Sequence, residues 1–163
     1  MERQQIGLKL VMDQLGLPVQ VDTFEDRLIL QKAVYLAQAA GVNLGYYFRW
    51  YLHGPYCSSV SDDGFCVAIE LGQGTEDSAG WSLDAASAEK ASGILDLVDC
   101  NDRSALAKKL ELFASIHFLL DRKQVSGQSP DKITAVLRKF GKDFNADDVR
   151  GALGELRDHD IIH

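Results

Sequence analysis

The chain has 163 residues, 46% of them apolar, which suits a single domain spanning residues 1–163 with a core of its own and argues against disordered or disulfide-stapled classes. Its net charge of −7 is concentrated, because residues 61–100 hold nine acids against one base while the flanking stretches are nearly balanced. That acidic middle would repel a phosphate backbone and suits a basic protein partner better, unless its carboxylates only solvate loops and helix faces.

Met1-Glu2-Arg3-Gln4-Gln5 is polar, and no apolar run of signal-peptide or membrane-span length follows, so the expectation is a cytosolic protein. Residues 3–15 carry Ile6, Leu8, Leu10, Val11 and Leu15 among polar residues, which predicts a first helix stopping near Gly16 and Pro18. Thr23-Phe24-Glu25-Asp26 opens a second helix in capping-box style, running to Ala40 and ending at Gly41. The aromatic run of residues 46–52 predicts a short strand or extended segment. Helix is expected to resume at Pro55, which suits a first helical position, and to reach Leu71 with Val60, Cys66, Val67, Ile69 and Leu71 available for burial, although Gly64 weakens it.

Residues 72–80 form a loop rich in glycine and acid, the segment expected to be most mobile. Ser82 or Asp84 can cap a helix through Val98, and Asp102 or Arg103 begins another that continues to about Arg122. The latter lines up Leu106, Leu110, Phe113 and His117 beside Leu112, Ile116 and Leu119, a cover broad enough for a central, buried helix. Ser129-Pro130 caps another helix, with Ile133, Leu137 and Phe140 facing inward before Gly141 ends it. Asn145 caps a last helix carrying Val149, Ala152, Leu153 and Leu156 on one stripe, and Ile161-Ile162 adds a short strand or packed tail.

No residue set assembles into recognisable chemistry. Cys57 is the best candidate nucleophile, at an expected helix start with His53 four residues earlier and His117 elsewhere, but such a pairing is a common coincidence. Cys57, Cys66 and Cys100, an odd count in no paired spacing, suit reduced thiols, His53, Cys57 and Cys66 lack the paired short spacings of a zinc site, His159 and His163 belong to a fraying tail, and Gly72, Gly74 and Gly80 lack the lysine of a phosphate loop. Residues 130–162 have a helix-turn-helix rhythm, yet a recognition helix from Asn145 would present Asp147, Asp148, Glu155 and Asp158 against only Arg150 and Arg157. The preceding helix is more basic, with Lys132, Arg138 and Lys139, and Lys142 follows it.

The order Arg27, Leu28, Leu30-Gln31-Lys32, Tyr35-Leu36 and Gln38, followed by an aromatic segment and Tyr51-Leu52-His53-Gly54-Pro55-Tyr56, resembles the Panacea domain of SocA-type bacterial antitoxins and the related YwgA-like bacterial proteins. The resemblance is best over residues 24–66 and looser in the Leu112–Leu119 helix and the helix-turn-helix-like end. It divides the domain into a Panacea-like part of about residues 1–71, the acidic loop 72–80 and a helical part 81–163. It implies a mainly α, compact helical domain with winged-helix-like character and at most a small β element near residues 46–52. It further implies neutralisation of a toxin encoded nearby through direct contact, and it brings no catalytic residues, cofactor or metal. Lys32, Tyr35, Gly54 and Pro55 match its pattern in structural roles: Tyr35 packing, Lys32 snorkelling, Gly54 and Pro55 setting a turn. A serine is expected where Cys57 stands.

The reading that results is a non-enzymatic protein-binding domain whose surface anchors are Arg49, Trp50, His53 and Tyr56, although packing of Trp50 into the core is an equal expectation. A winged-helix DNA-binding regulator and a Cys-dependent enzyme are the alternatives.

Overall fold

A computed structural model describes all residues 1–163 as eight helices and one β-hairpin. In chain order these are α1 (Arg3–Gln14), α2 (Phe24–Ala39), β1 (Arg49–Tyr51), β2 (Gly54–Tyr56), α3 (Ser58–Gln73), α4 (Ala85–Ser92), α5 (Leu95–Val98), α6 (Arg103–Asp121), α7 (Pro130–Lys139) and α8 (Ala146–Asp158). The fold is mainly α with a small antiparallel β element. No helix is long and apolar enough to cross a membrane.

The helix starts follow from side chains that satisfy otherwise free backbone N–H groups. Thr23, Asp84, Asp102, Ser129 and Asn145 each accept from a first-turn N–H, and Thr23 and Asn145 complete reciprocal capping boxes with Asp26 and Asp148. Pro130 occupies the first turn of α7, where a missing N–H costs nothing.

Two helices form the centre. Residues Ile29 to Ala37 of α2 are buried without interruption, and α6 buries ten of its nineteen residues, from Leu106 to Leu119. More than half of each helix is covered, so the other elements are arranged around this pair. One continuous core runs from Leu8 of α1 through Phe113 of α6 to Ile162. At the mouth of the pair Asp26 accepts from Arg103 at 2.8 and 3.0 Å, tying the two N-terminal ends together.

Several local expectations are corrected. Pro55 does not begin a helix; it lies in β2, opposite Trp50, and α3 starts only at Ser58. A nearby Gly in the left-handed region, Gly54 at φ 90°, turns the chain back into a strand before any helix can start. Cys66, Ile69 and Leu71 are exposed, and α3 buries Val60, Gly64 and Val67 instead. Gly64 is there for proximity: a Cβ at that position would run into the Leu30 side chain of α2. The helix expected through Val98 breaks at Gly93 and Ile94 into α4 and α5. Phe140 is half exposed at the end of α7, its ring lying against Trp50 rather than in the core. Within residues 72–80, Ser78 is buried and donates from both its amide and its hydroxyl to Glu76. Ile161 and Ile162 are a buried tail, not a strand, and His159 bonds back onto the Glu155 carbonyl.

Candidate functional site

The hairpin pairs Arg49 with Tyr56, Trp50 with Pro55 and Tyr51 with Gly54. An isolated hairpin this short does not hold itself together in water, so its stability has to come from what it rests on. It rests on α2 and α6.

The support from α2 is polar and buried. Lys32 is 1% exposed, and its Nζ donates to the Pro55 carbonyl at 2.6 Å. Snorkelling is therefore corrected: the amine is spent inside the protein on a strand carbonyl that the two-stranded sheet leaves unpaired. Burial pushes this amine down to about 7, with Glu111 opposing and Lys142 reinforcing the shift. Gln31 beside it forms a second clamp. Its Oε1 accepts from the Cys57 N–H at 3.0 Å, and its Nε2 donates to the Cys57 carbonyl at 2.7 Å and to Ser61 Oγ at 2.9 Å. One amide side chain thus fixes both backbone groups of Cys57, the residue that precedes α3 and gives it no side-chain cap.

From α6 the contact is close and partly electrostatic. Gly54 lies so near that a Cβ there would come 2.5 Å from Ser115 Oγ and 3.7 Å from Lys32 Nζ. Ser115 Oγ itself is buried without a hydrogen-bond partner. Glu111 accepts from Lys142 at 2.8 Å and lies 3.3 Å from His53 Nδ1, so one carboxylate joins the hairpin turn to the segment after α7. Trp50 packs between Phe118 and Phe140 with the Lys142 amine 5.6 Å from its ring. Tyr35 packs edge-on against Phe48, and its hydroxyl is 2.6 Å from His117 Nδ1.

With its backbone held this way, the hairpin leaves its outer side chains in solvent. Leu52 is 70% exposed, Tyr51 58% and Phe24 of α2 53%. Together with Leu28 and Tyr56 they rim a cavity of about 220 Å³ whose polar lining is Arg27, Gln31, Lys32, His53 and Ser61. Phe24 and His53 stack edge-on at 4.9 Å.

Of the expected surface anchors, Arg49 and His53 are exposed and Tyr56 stands at the cavity rim, whereas Trp50 points into the aromatic packing. Lys32, Gly54 and Pro55 converge at one point of contact, with Tyr35 one turn along α2. Gln31, Glu111 and Ser115 carry no expected role, and Lys142, expected among the bases that could touch a nucleic-acid backbone, is instead buried on Glu111. The signal available was a pair of polar residues in the middle of otherwise apolar helices, Gln31-Lys32 in α2 and Ser115 in α6. Cys57 is buried at the start of α3, and neither His53 nor His117 is hydrogen-bonded to it, His117 being occupied by Tyr35. No group of three or more His, Cys, Asp or Glu side chains is gathered as a metal site would require.

No family model, curated protein or solved structure matches this chain.

Proposed function

We propose that the protein is a non-enzymatic, cytoplasmic binding domain that grips a protein partner at the β-hairpin, in the manner of the Panacea-domain antitoxins its residues 24–66 resemble. The single observation that carries this reading is the contrast across the hairpin. Its backbone is anchored by two buried polar side chains, Lys32 and Gln31, while Tyr51, Leu52 and neighbouring Phe24 are kept in water around a concavity. Large apolar groups held rigidly in solvent cost free energy in the unbound state and return it when a partner covers them. Arg49, His53 and Tyr56 supply the polar margin of such an interface.

The test is co-expression with the product of the adjacent gene, which for an antitoxin would be its toxin. The expected result is co-purification and relief of growth inhibition, both lost when Tyr51 and Leu52 are changed together to Ala with the thermal midpoint unchanged. A neighbour that neither co-purifies nor is neutralised, or a double variant that binds as well as the parent, would overturn the reading.

A further inference from the structure

The cavity beside the hairpin has a lining chemistry that names its occupant more closely. It is lined by Arg27, Lys32 and His53 and by no Asp or Glu, in a chain whose net charge is −7. Glu111, the carboxylate beside His53, lies outside the lining and is already engaged by Lys142. Lys32 Nζ is engaged by the Pro55 carbonyl and the residue is 1% exposed, so the full charge within reach of a ligand is that of Arg27. Arg27 points its Nη1 at the Val21 and Asp22 carbonyls, neutral groups that do not balance its charge. The cavity therefore holds basic groups with no carboxylate of its own, below a rim of Phe24, Leu28, Tyr51 and Leu52.

Its size narrows the choice further. About 220 Å³ falls short of the ~300 Å³ at which pockets for whole small molecules and cofactors begin. It suits one residue of a larger partner. A single residue that brings both an apolar side chain and a carboxylate is the last residue of a polypeptide.

Resting on the binding role proposed above, we infer that this cavity captures the C-terminal residue of the partner protein, its apolar side chain under the aromatic rim and its free carboxylate against Arg27. An internal Asp or Glu would bring the charge without the apolar body on the same residue, and an amidated terminus the body without the charge.

The test uses acetylated tetrapeptides ending in Leu or Phe, each as free acid and as amide, titrated into the full chain while the amide resonances of Leu52, His53 and Ser61 are followed. The free acids are expected to shift those resonances and to bind about tenfold or more tightly than the amides, as loss of a charge-assisted contact implies. Arg27→Gln should abolish the acid-over-amide preference. Leu52→Glu, at an exposed position that leaves the fold intact, should weaken the acids by placing a carboxylate on the rim. Equal binding of acid and amide, binding of neither, or an acetylated, amidated peptide with internal Glu binding as well as the free acids would overturn the inference. The partner from the co-expression experiment separates the two levels. If it still binds after a Gly-Ser tail is added to its C-terminus, the inference falls and the binding role stands; if no partner is retained in the first place, the binding role itself falls.

Discussion

Gly54 carries two constraints at once, a φ of 90° and a backbone lying against Ser115. Gly54→Ala is expected to cost about 1–3 kcal/mol in urea unfolding, from the left-handed conformation and from the Cβ that would meet Ser115 Oγ. Ser115→Ala removes a buried hydroxyl that has no partner, and should be neutral or stabilising by up to about 1 kcal/mol. Because the two atoms collide, the pair is non-additive: Gly54→Ala should cost less in the Ser115→Ala background, and strict additivity of the two midpoints would refute the close approach. Lys32 gives the residue scale its pH dependence. Its folded amine lies at about 7 against an ordinary value of 10.5, so between those limits the unfolded chain binds more protons and stability rises with pH, by up to about 1.4 kcal/mol per unit. Burial also holds His117 below its ordinary range, which adds a rise through the histidine region. Above about 10 the direction reverses. Burial raises Tyr35 and Tyr46, so tyrosines ionise first in the unfolded chain and stability falls. Denaturant titrations from pH 6 to 11 should therefore peak between about 8 and 10, and Lys32→Met should flatten the rise above pH 7.

At the scale of elements, the hairpin and α3 depend on α2 through Gln31, which serves both the amide and the carbonyl of Cys57. Gln31→Ala leaves the buried Cys57 N–H unpaired, while the Cys57 carbonyl keeps the Val60 amide, and should cost about 1–3 kcal/mol, with the hairpin and the first turn of α3 losing amide-exchange protection before α6 does. Thiol labelling gives an independent reading. Exposed Cys66 should react first with an aromatic disulfide reagent and buried Cys57 last, and Gln31→Ala should accelerate Cys57 selectively. Fast labelling of Cys57 in the parent chain would contradict the clamp. These elements also show what could be read from residue order alone. The caps at Thr23, Ser129 and Asn145 and the burial of α6 were legible, because they depend on neighbours three or four residues away, while Asp84 and Asp102 were each one of two candidates. The hairpin was half legible: its aromatic first strand has β character, but Pro55 has as good a claim to a helix start as to a strand. What decided between them lies 23 residues away, where Lys32 binds the Pro55 carbonyl. The Glu111 and Lys142 pair was illegible for the same reason, since only the packing of α6 against the segment after α7 brings them together.

Over the whole molecule, charge separates the surfaces by what they can touch. The outer face of α8 presents Asp147, Asp148, Glu155 and Asp158 beside Arg150 and Arg157, and Arg150 is already held by Asp147. A duplex approaching that helix would meet more carboxylates than guanidinium groups, each unfavourable pairing adding to the repulsion of a chain with net charge −7. The exposed bases of α7, Lys132, Arg138 and Lys139, are too few to outweigh it. A mixed-sequence duplex should therefore show no shift with the parent chain even at low salt, where electrostatic binding is strongest. Changing Asp147, Asp148, Glu155 and Asp158 together to Asn or Gln leaves Arg150, Arg157 and the α7 bases unopposed, and that variant should gain weak retention that disappears as salt rises. Asp148 also closes the capping box with Asn145, so the same variant should lose about 1 kcal/mol of stability, which circular dichroism on melting would register. Retention of DNA by the parent chain with a steep salt dependence would reverse this assignment and move the binding surface from the hairpin to α7 and α8.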